Sequence, residues 1–198
     1  PFINEDLSIH GIEVTQGIQC FNTGAGLAGC PDNSLPLVIN KSTVARVYLD
    51  YSNSIPFITQ RDDVQVRLYL RWNGGAFVSA LASGRARAVI DQSNAANSAN
   101  VYFHIDSSAN SGTLDLYAEV DPSGFVSESN ESNNRFPSSG FVSIDFYKRD
   151  TLKVVGRRLR YHPSGYSGDQ YAGGWAVNGA GATWMNQLAP IKNSGINY

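Results

Sequence analysis

The chain has 198 residues, enough for one or two domains with a proper core. Lysine and arginine number 15 against 17 aspartates and glutamates, for a net charge of -2, so no long-range field favours nucleic acid or an anionic membrane. Charged residues are 16% of the chain, below the soluble average of about 25%, and Ser, Asn, Gly and Thr take their place.

The sequence opens Pro1-Phe2-Ile3-Asn4-Glu5-Asp6, with neither the charged start nor the apolar core of a signal peptide, and without an initiator Met it reads as a processed or cut-down chain. No run of about 18 apolar residues follows, so no helix is expected to span a bilayer. Leu7 and Ile9 alternate, and Ile12 and Val14 continue with opposite parity. One extra residue at His10-Gly11 accounts for the switch, as a bulge in a first edge strand would. Ile18 ends this run. Cys20 and Cys30 then flank Phe21-Asn22-Thr23-Gly24-Ala25-Gly26-Leu27-Ala28-Gly29, a segment with little to pack. A disulfide closing a loop of about ten residues would restrain it, with a gain of about 2–3 kcal/mol. No His or third Cys stands near to complete a zinc set; two free thiols in a reducing compartment are the alternative. A disulfide implies an oxidising, extracellular setting.

Pro36-Leu37-Val38-Ile39 is a short apolar run, and Asn40-Lys41-Ser42 turns the chain. Thr43, Ala45, Val47, Leu49 and Tyr51 then share one face, with Arg46, Tyr48 and Asp50 opposite: a half-buried strand. Ser52 to Asp63 is a loop holding Pro56. Val64, Val66, Leu68, Leu70 and Trp72 give the cleanest alternation, with Arg67, Tyr69 and Arg71 opposite; Trp72 either sits under the core or shields a sheet end. Asn73-Gly74-Gly75 signals a hairpin, with Ala76-Phe77-Val78 returning. From Ser79 to Asn100 the pattern fades into small residues, and Arg85 and Arg87 are expected to be solvated or paired with nearby carboxylates. Val101, Phe103 and Ile105 make the next strand, with Tyr102 and His104 outward.

Leu114, Leu116, Ala118 and Val120 lead into Asp121-Pro122-Ser123-Gly124-Phe125-Val126-Ser127-Glu128-Ser129-Asn130-Glu131-Ser132-Asn133-Asn134, and a strand running to Phe146 follows it. Asp and Asn bond the local backbone and tolerate left-handed conformations, so they hold a tight connection without a core of its own. Seven to nine short strands spaced by turns, with no helical stretch before residue 170, predict an all-β fold, an antiparallel β-sandwich.

The end differs. Thr151 to Tyr161 reads as a strand, and Lys148, Arg149, Lys153, Arg157, Arg158 and Arg160 form the chain's charge cluster; on a slightly acidic chain it suits a face that contacts a following domain better than nucleic acid. Ala182 to Leu188 is helix-compatible and stops before Pro190, and Lys192 to Tyr198 looks like a strand about to start. Residues 1–150 are read as the sandwich. Residues 151–198 are read as an extension with a short helix, either the start of a second domain or a piece packed on the first.

A strand ending in Val120-Asp121, then a short turn and Glu-x-Asn-Glu-x-Asn-Asn over residues 128–134, resembles the signature of the bacterial CARDB modules. The resemblance implies a seven-stranded, immunoglobulin-like domain of a secreted or cell-surface protein, accessory or adhesive rather than catalytic. Ile12 to Gln19, Pro36-Leu37-Val38 and Thr43 to Leu49 are similar to the accessory domain that precedes metallopeptidase-like regions in some secreted bacterial proteins. There the later segment opens the peptidase domain.

No His-Glu-x-x-His, Gly-x-Ser-x-Gly or phosphate loop occurs, and His10, His104 and His162 fall on three separate elements, so no catalytic residues are assigned. Asp121, Glu128, Asn130, Glu131 and Asn133 supply hard oxygens within one loop and are candidate Ca2+ ligands, and no other cofactor is expected. Their spacing does not match an EF-hand, and a self-satisfied turn is the competing expectation. Tyr48, Tyr69 and Tyr102 all fall on non-core positions and could form a ligand face for glycan. The expected function is a non-catalytic extracellular module for adhesion, spacing or protein interaction. The expected partners are neighbouring domains of the same polypeptide, with cell-surface protein or glycan beyond them; the rivals are the peptidase accessory domain and a carbohydrate-binding module.

Overall fold

The computed structural model describes residues 4–21, 29–154, 160–165, 167–171 and 180–197. Nine strands make one mixed sheet that folds over on itself: β1 (Glu5–Thr15), β2 (Leu37–Val38), β3 (Thr43–Asn53), β4 (Gln60–Trp72), β5 (Val78–Arg87), β6 (Ser98–Phe103), β7 (Ser111–Val120), β8 (Arg135–Phe136) and β9 (Val142–Tyr147). β1, β3 and β6 form one layer; β5, β4, β7 and β9 form the other, with β2 beside β9 and β8 beside β7. The layers join where β3 and β5 pair in parallel through Leu49–Ala86 and Asp50–Arg87. The all-β sandwich expected from the alternation is the fold that forms.

Period-2 patterning places the core. Leu7, Ile9, Ile12 and Val14 face Val47 and Leu49 within their layer, and across from them lie Val66, Leu68, Leu116, Ala118 and Phe146, all buried. Each large apolar side chain so enclosed contributes about 1.5–3 kcal/mol relative to exposure. The parity switch in β1 is a register shift between Ile9 and Gly11. A Cβ at Gly11 would stand 2.9 Å from the far end of the Phe21 ring, so a larger residue there would make that ring shift. Trp72 packs against the core at the sheet end, edge-on to Phe146 with ring centroids 5.8 Å apart.

Three expectations change. The sandwich is not purely antiparallel: β2–β9 and β3–β5 are parallel pairs. Residues 79–87 are not patternless but lie in β5, whose inward positions are Ala80, Ala82, Gly84 and Ala86. Small side chains carry little hydropathy signal, yet they are needed here, since a Cβ on Gly84 would collide with the backbone of Ser98 and Ala99. One helical turn also precedes residue 170, a 3-10 turn at Ala95–Asn97 with the Asn94 side chain accepting the Ala96 N–H.

Beyond the sandwich, β10 (Leu152–Lys153) pairs in parallel with β13 (Ile196–Asn197), and β11 (Arg160–Tyr161) pairs with β12 (Gln170–Tyr171). Helix α1 (Ala180–Leu188) lies between them in the chain and stops before Pro190, as expected. Arg157, Arg158 and the middle of the strand anticipated from Thr151 to Tyr161, residues 155–159, lie outside the described residues. The tail contacts the sandwich at the Asn40-Lys41-Ser42 turn. Asn193 donates its backbone N–H to Asn40 O at 2.9 Å, and its side chain bonds both Ser42 N–H (3.2 Å) and Ser42 Oγ (2.9 Å). Lys41 is buried, and its ammonium donates to Ala189 O at 2.5 Å, just past the end of α1. A cation there complements the negative end of the helix dipole.

Candidate functional site: the amide-rich corner and the edge of the first strand

β1 pairs with β3 on one side only, so its other edge would present bare N–H and C=O groups. Side chains from two distant segments cover it. Glu128 Oε2 accepts the Leu7 N–H at 2.6 Å, and Ser129 N–H donates to Glu5 O at 2.8 Å. Toward the other end, Asn33 Oδ1 accepts the Val14 N–H at 2.8 Å while its Nδ2 donates to Ile12 O at 2.7 Å, so one amide stands in for a stretch of neighbouring strand. Asn33 is itself held by its N–H on Cys20 O at 2.7 Å, beside the Cys20–Cys30 disulfide, whose Cα atoms are 5.7 Å apart. The glycine-rich residues 22–28 inside that loop lie outside the described residues.

The corner is built to present Glu128. Asp121 is buried with φ at 42°, and its carboxylate accepts the N–H groups of Phe125 (3.1 Å) and Val126 (2.7 Å), which closes the turn. Glu128 Oε1 accepts from Asn134 Nδ2 at 2.9 Å, and Glu131 Oε1 accepts the Glu128 N–H at 3.2 Å. Asn130 Oδ1 accepts from Ser132 N–H and Oγ. Asp6 on β1 returns the contact, taking the Asn130 N–H at 2.9 Å and Asn133 Nδ2 at 2.9 Å. Burial pushes the Glu128 carboxyl above its ordinary range, against the bonds from Leu7 and Asn134 that pull it down.

All five candidate calcium ligands are thus gathered in one corner, and the oxygens of Asp121, Glu128 and Asn130 accept hydrogen bonds from the chain itself. Asn133 Oδ1 and Asn134 Oδ1 are buried without a hydrogen-bond partner and are the amide oxygens left for a cation. Among the described residues, no three His, Cys, Asp or Glu side chains are grouped as a metal would need. Beside the corner a cleft of about 380 Å³ opens between Arg61–Gln65 and Ser123–Val126. Arg61 and Asp62 at its mouth are engaged with Glu5 and Arg85.

The histidines do not meet. His10 pairs with Asp50 at 3.2 Å, His104 with Asp106 at 3.0 Å and His162 with Asp169 at 3.5 Å, on three separate elements. Arg85 and Arg87 pair with Asp62 and Asp91, as expected.

The three tyrosines do not make one face either. Tyr48 occupies an outward strand position but is fully buried, because Phe21 stacks on it at 5.2 Å and the Arg46 guanidinium lies 5.1 Å from its ring. Its hydroxyl donates to Glu13 at 2.9 Å, and burial first, then Glu13, raises its pKa. Tyr69 lies on the opposite layer, stacked on Tyr117 at 4.4 Å with its hydroxyl on Glu119. Tyr102 alone is open, at 77% exposure. The aromatic grouping that does form is Tyr69, Phe77, Tyr117 and Phe141, with Arg71 between Phe77 and Phe141 and Arg135 over Tyr117. Its members come from three strands and two loops, so local patterning does not reveal it.

No family model and no curated protein matches the chain. Among solved structures, the CARDB domain of the PF1109 protein from Pyrococcus furiosus, in complex with di-metal ions, is similar at 18% identity and a TM-score of 0.37, covering 74% of this chain and 96% of that one. It belongs to the family that the corner motif resembles.

Proposed function

We propose that this chain is a non-catalytic β-sandwich module that spaces, anchors or presents a neighbouring domain of a secreted or surface protein. The observation that supports it is the use made of the polar corner. Asp121, Glu128 and Asp6 are spent on the protein's own backbone N–H groups, which ties the first strand to the closing strands. The Cys20–Cys30 disulfide is consistent with an oxidising, extracellular setting, and among the described residues no helix is long and apolar enough to cross a membrane. Partners of such a module are the adjoining domains, with cell-surface protein or glycan beyond them. A labelled version carrying fluorescent domains at both ends tests the spacer role. A single narrow end-to-end distance is expected; a broad distribution, or turnover of peptide, ester or glycoside substrates by the purified chain, would count against it.

A second reading has its own support. The parallel β10–β13 pair, with α1 between its strands in the chain, is the way a parallel α/β unit begins. That favours an accessory region packed against a following α/β domain, which in a metallopeptidase would carry the zinc ligands. A His-Glu-x-x-His in polypeptide continuing past Tyr198 selects this reading, and its absence there rejects it.

A further inference from the structure

The outward surface of the β1–β3–β6 layer carries a hollow of about 390 Å³, lined by none of the corner residues. Its size falls in the ~300–1,000 Å³ range of small-ligand sites. The floor is Val44, paired with Thr15 of β1 on one flank and with Tyr102 of β6 on the other. Gly17, with φ at 132°, forms a wall without a side chain, and Ser42 and His104 complete the rim. Tyr102 is 77% exposed, and neither its ring nor its hydroxyl has a partner among the described residues.

We propose that this hollow is a subsite for a neutral sugar ring of a cell-surface oligosaccharide. The inference rests on reading the chain as a non-catalytic extracellular module, and it names where the glycan partner sits. Three features select the ligand. Among the described residues no Lys, Arg, Asp or Glu lines the hollow, so an ionic ligand would find no fixed counter-charge. The backbone of the floor is spent in the ladder on both flanks of Val44, which leaves no strand edge for an extended peptide to join. What remains is side-chain chemistry suited to ring hydroxyls. Thr15 Oγ1 accepts the Gly17 N–H at 3.1 Å and Ser42 Oγ accepts from Asn193 Nδ2 at 2.9 Å, so each hydroxyl keeps its proton to donate. His104 Nε2 lies 3.0 Å from Asp106, which leaves Nδ1 for the ligand. The face of Tyr102 adds an apolar, electron-rich surface for the C–H side of the sugar.

Titration of the isotope-labelled chain with cellotetraose, maltotetraose and chitotetraose, followed by NMR, tests this. At least one of them is expected to shift the amides of Thr15, Gly17, Val44 and Tyr102, saturably and at millimolar concentration. Tyr102→Ala should weaken that affinity by about tenfold with its thermal midpoint kept, since the side chain already stands in solvent. Tyr102→Phe should retain it. Phe57→Ser, at another aromatic that is 84% exposed, should leave it unchanged. The wild-type shift map decides the location even if the alanine variant fails to fold. No shift with any of the three sugars, shifts centred elsewhere, or equal affinity in Tyr102→Ala overturns the subsite. So does a proline-rich peptide that moves the same amides while the sugars do not. A chain that keeps a single narrow end-to-end distance yet ignores all three sugars loses this inference alone, and the module reading stands.

Discussion

The carboxylate of Glu128 accepts the backbone N–H of Leu7 at 2.6 Å across 121 positions of sequence, so a residue in the connection after β7 completes the edge of the first strand. Truncating Glu128 leaves that partly buried N–H without an acceptor. Glu128→Ala is expected to cost about 1–3 kcal/mol in denaturant unfolding. Glu128→Gln keeps an acceptor for Leu7, and Asn134, whose Oδ1 has no partner, can turn its amide to receive the new N–H. It should cost well under half as much; equal losses would show that the contact is not what stabilises the corner.

The same carboxyl gives a pH signature. Its pKa in the folded state is raised above 4.5, chiefly by burial, with Glu131 and Asp121 adding repulsion. In the window just above 4.5 the native state therefore holds more protons than the unfolded chain, and this contribution to stability is present at low pH and lost as pH rises. Wild type should lose stability relative to Glu128→Gln between pH 4 and pH 7. A difference that stays flat, or runs the other way, contradicts the burial argument.

Lys41 runs with the opposite sign. Burial lowers its pKa from 10.5, so the unfolded chain binds the extra proton and the Lys41 contribution grows as pH rises toward 10.5. Lys41→Met removes both the desolvated charge and the bond to Ala189, and near neutral pH the two should cancel to within about 1 kcal/mol. Wild type should gain on the methionine variant as pH is raised from 7 to 10, measured by thermal unfolding; no gain would mean that the ammonium is solvated.

Reducing the Cys20–Cys30 disulfide, or replacing both cysteines by serine, is expected to cost about 2–3 kcal/mol, the loop-closure value for ten residues. Phe21 follows Cys20 directly and covers Tyr48. The tyrosine should therefore become accessible to nitration in the reduced protein. Tyr48 that stays protected would place its cover elsewhere.

The sandwich core was legible because Val64 to Trp72, Thr43 to Tyr51 and Leu114 to Val120 alternate large apolar and polar residues, which fixes inward and outward faces. β5 escaped because its inward residues are Ala and Gly, chosen for closeness to β6 rather than for hydrophobicity. Alternation assigned Tyr48 to the outward face correctly, but it cannot say what lies above a face, and Phe21 arrives from another segment. The corner announced its turn chemistry through Asp121 and the asparagines. Its target, the edge of β1 more than a hundred residues earlier, left no local trace.

Amide exchange at Leu7, Phe125, Val126 and Asn130, followed by NMR in chelator and then in millimolar Ca2+, separates a corner closed by its own side chains from one closed by an ion. Strong protection in chelator, unchanged by the metal and abolished at Leu7 by Glu128→Ala, is the expected result. Amides that exchange freely until Ca2+ is added, with a matching rise in melting temperature, would contradict it.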